Sequence, residues 1–445
     1  MGAVAEGLIL DAQPQSTASP AMTAPAADAS LDAWLDYQQQ LHPSAIELGL
    51  ERVRAVAVRL GLPAAGIVTL VVGGTNGKGS SATLAALIYS QAGYRVGLYR
   101  SPHLLRYNER VVIDGVEASD AALCRAFAAI EQARDEIALT YFEFGTLAAL
   151  WLFAEAGVHA QVLEVGLGGR LDAVNIVDAD AAMVTNIGLD HEDWLGAGRE
   201  AIGFEKAGIF RGQKPAVLVD PAPPASLLKQ ARHIGAKLQQ LDVDYRYEIA
   251  AEGWSWQSAQ TRFDALPLPG LRGAVQLRNA AGVLAAIEAL QPLLPVSEAS
   301  IRAALPQLRL AGRFENRGRW WFDVAHNTEA AEVLADNIAQ TFAPRAPWLL
   351  LGMLSDKPVE NVARVLAPHV AGASFVGLPP PRGLTAQTLQ QRAASAGLHG
   401  RAVPEIADAM REAAAQAGEG AAILVCGSFL TVASAIELLD QGLIS

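Results

Sequence analysis

The chain reads as an α/β protein of two domains: a nucleotide-binding domain built on a P-loop, then a smaller Rossmann-like domain. Three observations predict this. The first is Gly73-Gly74-Thr75-Asn76-Gly77-Lys78-Gly79-Ser80-Ser81, set between an apolar run at 66–72 and a helical pattern at 82–92. The second is the recurrence of short apolar runs at 94–99, 159–165, 181–187 and 214–219, with helical spacing between most of them. The third is a renewed strand–helix alternation from 320 onward, after Pro292 and Pro295 interrupt a long amphipathic pattern.

Composition sets the limits. With 445 residues, 51% apolar and 18% charged, the chain has core material for two or three domains, and general disorder is excluded. A net charge of −12 argues against nucleic acid as the main partner, while leaving room for a local basic pocket. No Lys or Arg precedes Arg52, and no apolar run is long enough to span a bilayer, so no membrane role is expected. The two cysteines, Cys124 and Cys426, sit among aliphatic residues and read as buried thiols in a reducing compartment, the cytoplasm.

Residues 1–30, rich in Ala, Pro, Ser and Thr, are expected to form a disordered extension. Helical spacing covers 31–40 and 45–60, separated by Leu41-His42-Pro43. Past the P-loop helix and the strand at 94–99, Ser101-Pro102-His103 leaves the sheet. Ser119 caps a helix to about 138, and 144–156 is another. Residues 245–263 alternate like small antiparallel strands, and 275–290 is amphipathic. These features assign 31–290 to the first domain, 291–297 to a linker and 298–445 to the second domain. Strands at 320–324, 348–351, 374–378 and 422–425 build the second sheet, which carries no glycine fingerprint for a dinucleotide, so no redox cofactor is expected.

The chemistry gathers where strands end. A buried strand, a glycine turn and a helix start present backbone N–H groups and Lys78 to an anion. The strict P-loop pattern is not met, since Val72 and Gly79 stand where Gly and Ser or Thr belong; a glycine turn without ligand is the ordinary alternative. Glu164 closes the strand at 159–165, where a buried carboxylate needs a positive partner such as a metal ion. His191 follows the strand at 181–187, and the two together suggest a shared divalent cation; a hydrogen-bonded structural histidine is the alternative.

Taken together, the landmarks resemble the folylpolyglutamate synthase/dihydrofolate synthase family, a branch of the Mur ligase superfamily. They are Leu48-Gly49-Leu50-Glu51-Arg52-Val53, the 74–79 loop, Ser101-Pro102-His103, 164–172, 189–195, 205–209, Gly312-Arg313-Phe314, Asp323-Val324-Ala325-His326-Asn327, Ser355-Asp356-Lys357 and Cys426-Gly427-Ser428-Phe429. The resemblance implies a P-loop Mur-ligase-like domain followed by the Rossmann-like one, acting as a monomeric ATP-dependent ligase. Its implied substrates are L-glutamate, dihydropteroate and reduced folates. It further implies that Thr75, Asn76, Gly77 and Lys78 hold the ATP phosphates, with Asn279, Arg313 and Asp323 on the rest of the nucleotide. Ser101, Glu164 and His191 are the implied Mg2+ ligands, with Ser80 the alternative from a bare P-loop. Gln40, Leu41, His42 and Pro43, Thr140, Tyr141, Phe142 and Glu143, and Leu171, Asp172 and Ala173 are the implied acceptor contacts. Phe142 offers a face to a flat heterocycle, and Asp172 can accept its N–H donors. Lys206 is the implied carbamylated lysine, catalytic and metal-binding. His326, on a loop expected to face the first domain, either helps position reactants or makes a structural hydrogen bond.

Two other readings compete. A cell-wall Mur ligase shares the reaction class, but the chain ahead of the first strand is too short for a separate sugar-nucleotide domain. A noncatalytic nucleotide-switch ATPase would use the same cradle and needs no acceptor pocket.

Overall fold

The computed structural model describes residues 23–26, 28–42, 44, 46–250 and 252–444. The first domain's main sheet has strands β1 (Val68–Gly73), β2 (Val96–Tyr99), β3 (Val111–Ile113), β4 (Val116–Glu117), β5 (Ala160–Glu164), β6 (Ala181–Val184), β7 (Pro215–Leu218) and β8 (Lys237–Gln240). Their spatial order is β4-β3-β2-β5-β1-β6-β7-β8, with β3 and β4 antiparallel at one edge and the rest parallel. Continuous apolar runs such as Leu70-Val71-Val72 suit a sheet covered on both faces, and all three residues are buried. Because β1 lies between β5 and β6, the loops leaving β1, β2, β5 and β6 emerge side by side at the carboxyl end of the sheet.

One face is covered by a core that includes Trp34, Phe127, Phe144 and Phe153; the other is covered by the helices Lys78–Gln91 and Ala274–Leu290. A small antiparallel sheet of β9 (Tyr245–Ala250), β10 (Gly253–Ser258) and β11 (Arg262–Leu266) buries Trp254 and Trp256 in that second core. The second domain is a six-stranded sheet of β12 (Glu315–Arg317), β13 (Trp320–Asp323), β14 (Trp348–Leu351), β15 (Gly372–Val376), β16 (Gly400–Val403) and β17 (Ile423–Cys426). Its order is β12-β13-β17-β14-β15-β16, parallel except for β12.

Several expectations shift. Residues 1–22 of the expected disordered extension lie outside the described residues, but Ala24 and Ala29 pack against the first core, so order begins ahead of Leu31. The expected linker at 291–297 is a closed turn: the Gln291 amide donates to the Val296 carbonyl and accepts from its N–H, both at 2.9 Å. The helix Glu298–Ala304 then packs on Lys78–Gln91, with Ile301, Ala304, Leu305 and Leu308 inside the first domain's core. By packing, the crossover falls just past Leu308. Two helices start earlier than expected. Gly77 caps Lys78–Gln91 from a left-handed conformation, and Thr140 caps Tyr141–Ala156 in a reciprocal box with Glu143.

Ile301 is 1% exposed, and Ile301→Ala should cost about 3 kcal/mol of stability. Urea denaturation followed by the fluorescence of the buried Trp254 and Trp256 checks this; a cost below about 1 kcal/mol would return the segment to a linker.

Candidate active site

The loop after β1 turns through two glycines with left-handed or extended-positive backbone, Gly74 at φ 135° and Gly77 at φ 81°. At Gly77 a Cβ would stand 2.4 Å from the Asn279 side-chain nitrogen, so this glycine is what lets Asn279 reach the loop. The Asn279 amide nitrogen is buried without a hydrogen-bond partner, as expected of a group that waits for a ligand. Ser80 and Ser81 both donate their hydroxyls to the Gly77 carbonyl, at 3.1 and 2.8 Å, so Ser80 is engaged by the loop.

Positive charge accumulates here. Lys78 donates to the carbonyls of Gly74 and Thr75, and Lys206, from the helix Gly198–Ala207, donates to the same Gly74 carbonyl at 2.8 Å. Among the described residues Lys78, Lys206 and Arg313 form no ion pair. Burial pulls the Lys78 pKa down, and burial together with the Lys78 charge brings Lys206 to about 7.

Beside the loop stands Glu164, at the end of β5, accepting the Ser101 backbone N–H at 3.1 Å. It is buried, its pKa raised by that burial, and a Cβ on Gly79 would lie 3.5 Å from its carboxylate. His191, in a left-handed turn past β6, is held near a pKa of about 4 by burial, so its imidazole is neutral and free to coordinate. A carboxylate, the Ser101 hydroxyl and a neutral imidazole around one cavity fit a divalent cation. No cluster of three His, Cys, Asp or Glu occurs among the described residues, so phosphate oxygens and water must complete such a shell.

These groups line one cavity of about 750 Å³ between the domains. It takes in Thr75 to Lys78, Asn279, Arg313 and Asp323, then Ser101, Glu164, His191, Lys206 and His326, and finally Thr140 to Glu143 with Leu171 to Ala173. Gln40, Leu41 and His42 do not line it, and Pro43 lies outside the described residues; Ile46 to Gly49 take that wall instead. The reason is local: the first helix ends at Leu41, and His42 turns to pair with Glu47 at 3.2 Å.

On the cavity wall formed by Thr140 to Glu143 and Leu171 to Ala173, Phe142 lies against Gly166, where a Cβ would meet its ring at 2.5 Å. Asp172 is buried and accepts N–H groups from Leu167 at 2.9 Å and Val174 at 3.0 Å, one on each oxygen. Burial raises its pKa to about 6. Glu143 is committed elsewhere: it caps Thr140 at 2.8 Å and meets Arg52 at 3.1 Å.

The domain junction holds residues to which sequence reasoning gave no role. Asp190 accepts from Lys357 at 2.9 Å and Asn327 at 3.4 Å and lies 3.7 Å from His326, all three from the second domain. Burial would raise the Asp190 pKa, but His326, His191 and Lys357 outweigh it and hold the carboxyl well below its usual range. Asn327 also exchanges side-chain hydrogen bonds with Asn76 of the P-loop, at 3.1 and 3.4 Å. Beside Thr140 to Glu143, Arg110 is stacked between the rings of Tyr107 and Tyr141. Adjacency was the available signal: Asp190 precedes His191, Asn327 follows His326, and Lys357 closes Ser355-Asp356-Lys357.

A phosphate cradle on one domain, closed by a second domain that brings its own cation, defines a nucleotide-dependent ligase of the Mur type. Two family models agree: the Mur ligase middle domain matches residues 72–264, and the Mur ligase, glutamate ligase domain, matches 312–429. The chain is 44% identical to the dihydrofolate synthase/folylpolyglutamate synthase of Escherichia coli K12, over 94% of this chain and 97% of that protein. The Haemophilus influenzae protein of the same description is 38% identical, over 92% of this chain and 97% of its own. Among solved structures, E. coli FolC in complex with DHPP and ADP superposes with a TM-score of 0.89 at 43% identity, covering 94% of this chain and all of that one. The chain belongs to the dihydrofolate synthase/folylpolyglutamate synthase family of ADP-forming acid–amino-acid ligases.

The Asp190–Lys357 pair, 13% and 7% exposed at its side chains, should behave as a latch between domains. Asp190→Leu and Lys357→Met should each cost about 3 kcal/mol of stability, with the double variant about 2 kcal/mol better than their sum. Urea denaturation of the four proteins measures this, and additive costs would refute it.

Proposed function

We propose that the chain joins the amino group of L-glutamate to the carboxylate of dihydropteroate, forming dihydrofolate, and to that of reduced folates, lengthening their glutamate tails. The observation that carries this reading is that a single cavity holds the phosphate cradle together with the aromatic and carboxylate pair Phe142 and Asp172. The noncatalytic switch would need no such acceptor wall. Arg313 and Asp323 approach the same space from the second domain, so ATP would be gripped from both sides.

A carboxylate resists amines because its carbon is electron-rich and its oxygen leaves poorly. Transfer of the γ-phosphoryl group to an acceptor oxygen forms a P–O bond as the bond to ADP breaks. Lys78 lies where it would neutralise charge on the β- and γ-phosphates. Ser101, Glu164 and His191 would hold a magnesium ion, which supplies further neutralisation when bound. The glutamate amine then forms its bond to the activated carbon, the C–O bond to phosphate breaks with its electron pair, and the amine's proton passes to solvent or phosphate. His326, its Nδ1 2.8 Å from the Val324 carbonyl and its Nε2 near Asp190, positions the junction over this space. The cytoplasm is the proposed compartment, since Cys124 and Cys426 are both unpaired and buried.

The test is ADP release by purified protein with ATP, magnesium and glutamate, offered dihydropteroate and tetrahydrofolate separately. Both acceptors should stimulate it, and silence with both would refute the reading. With Asp172 ionised only above about pH 6, the KM for dihydropteroate should rise as pH falls below 6 and level off above 7. In Asp172→Ala that KM should be higher at every pH and lose this inflection.

Lys206 is proposed as a carbamate. Its buried amine, brought to about 7, is neutral in half or more of the molecules at cellular pH and can add to carbon dioxide with loss of one proton. The product replaces an ammonium that repels a metal with an anion that binds one. Mass spectrometry of the native protein under bicarbonate should show a gain of about 44 Da, and Lys206→Ala should lose activity that acetate partly restores. An unmodified lysine with a fully active Lys206→Ala variant would refute it.

A further inference from the structure

Leu104 lies on the segment that leaves β2, yet it is buried in the second domain's core, among Trp320, Phe322, Val324 and Val432. Among the described residues it is the one buried side chain that the first domain sends into that core. Gly312, at φ 66°, forms part of its seat: a Cβ there would stand 3.4 Å from a Leu104 methyl and 3.0 Å from Val324. The seat therefore adjoins the turn that carries Arg313, whose side chain lines the cavity between the domains.

The segment that carries Leu104 is stiff. Glu109 accepts the backbone N–H groups of Leu104, Leu105 and Arg106 at 2.8, 2.7 and 2.8 Å. Arg110 donates Nε to His103 Nδ1 at 2.8 Å, and its carbonyl accepts the Arg100 N–H at 3.0 Å. With 100, 103 and 104–106 all tied to 109–110, a shift of Leu104 is passed along to Ser101. Ser101 in turn donates its backbone N–H to Glu164 at 3.1 Å, and both residues line the large cavity.

An apolar side chain on a loop gains from leaving water only while its seat is present, and this seat belongs to the other domain. The polar contacts across the junction, through Asp190 and Asn76, hold the loops after β6 and β1. Leu104 is a separate tie, for the loop after β2. We propose that Leu104 is a positioning residue for the ligase reaction: seated beside Gly312, it sets Ser101 against Glu164 once nucleotide draws the domains together. Nucleotide gripped by Lys78 on one domain and Arg313 on the other favours the docked arrangement, and Leu104 hands that preference to the β2 loop. The kinetic side of the proposal rests on the ligase reading, the conformational side only on nucleotide binding.

Amide hydrogen exchange and steady-state kinetics of Leu104→Ala test this, with Leu104→Met as the conservative variant. In the wild type, ADP with magnesium should slow exchange about tenfold in both the 101–106 and the 75–80 stretches. In Leu104→Ala the effect at 101–106 should shrink below about twofold while that at 75–80 persists. There kcat should fall about tenfold with the KM for ATP held within about twofold, and Leu104→Met should restore most of both losses. A side chain that only fills core would lower the thermal midpoint and leave kcat and the ADP effect at 101–106 in place, which overturns the proposal. Loss of the ADP effect at both stretches overturns it too, because the variant then fails to bind nucleotide. If Leu104→Ala does not fold, Leu104→Val carries the same comparison. Wild-type protein without glutamate-dependent ADP release would bring down the ligase reading, and the exchange comparison would still decide the role of Leu104.

Discussion

Two amine side chains, the half-buried Lys78 and the buried Lys206, converge on the single carbonyl of Gly74. Desolvation lowers the pKa of both, and a neutral carbonyl returns only part of the hydration a charged amine would lose. The rest of the first domain can be understood as making this arrangement tolerable. The P-loop is held from β6, through the Thr75 N–H on the Asn186 carbonyl and the Thr185 hydroxyl on the Asn76 carbonyl. Glu164 and Asp190 lend negative potential that keeps Lys78 from falling further. A polyphosphate supplies the charge the fold withholds, which is why binding and catalysis draw on the same electrostatics.

The second domain completes the site through polar contacts rather than a large shared core. Asp190 collects a lysine, an asparagine and a histidine from across the junction, and the Asn76–Asn327 amide pair ties that junction to the loop that holds phosphate. Such contacts are directional and shielded from water, and they cost much when half-broken. The two domains are therefore coupled at the cavity that both of them line. Leu104 extends the coupling by packing into the second domain's core from the first domain's loop.

The proposed acceptor wall shows how local folding and a cavity surface overlap. Thr140 and Glu143 cap their helix, and Asp172 caps the turn Ala173–Ile176. Their capping fixes where Phe142 and the Asp172 carboxylate point. A residue can thus belong to a binding wall while its own hydrogen bonds are largely structural, as with Glu143, and only the pattern of partners separates the two roles.

Local chemistry was legible in the sequence wherever it depended on neighbours along the chain. Apolar runs led to Glu164 and into the loops that carry Lys78 and His191, so the carboxyl edge of a parallel sheet and these cavity-lining residues were set by pattern. The strands that pattern missed are short or polar: the β3–β4 hairpin turns at Asp114-Gly115, both with positive φ, and β8 and β12 are edge strands with little apolar signal. The boundary was misplaced because prolines mark a turn but not which core the next helix joins; Ile301 and Leu305 decide that by packing on Lys78–Gln91. Likewise Asp190 and Lys357 are 167 residues apart, and nothing local to either announces the pair. Sequence by itself determined the cradle, the sheet class and the kinds of side chain at strand ends, because those follow from periodicity and turn chemistry. Tertiary structure alone decided which charges remain unpaired, since compensation of a buried charge depends on distance across domains and not along the chain.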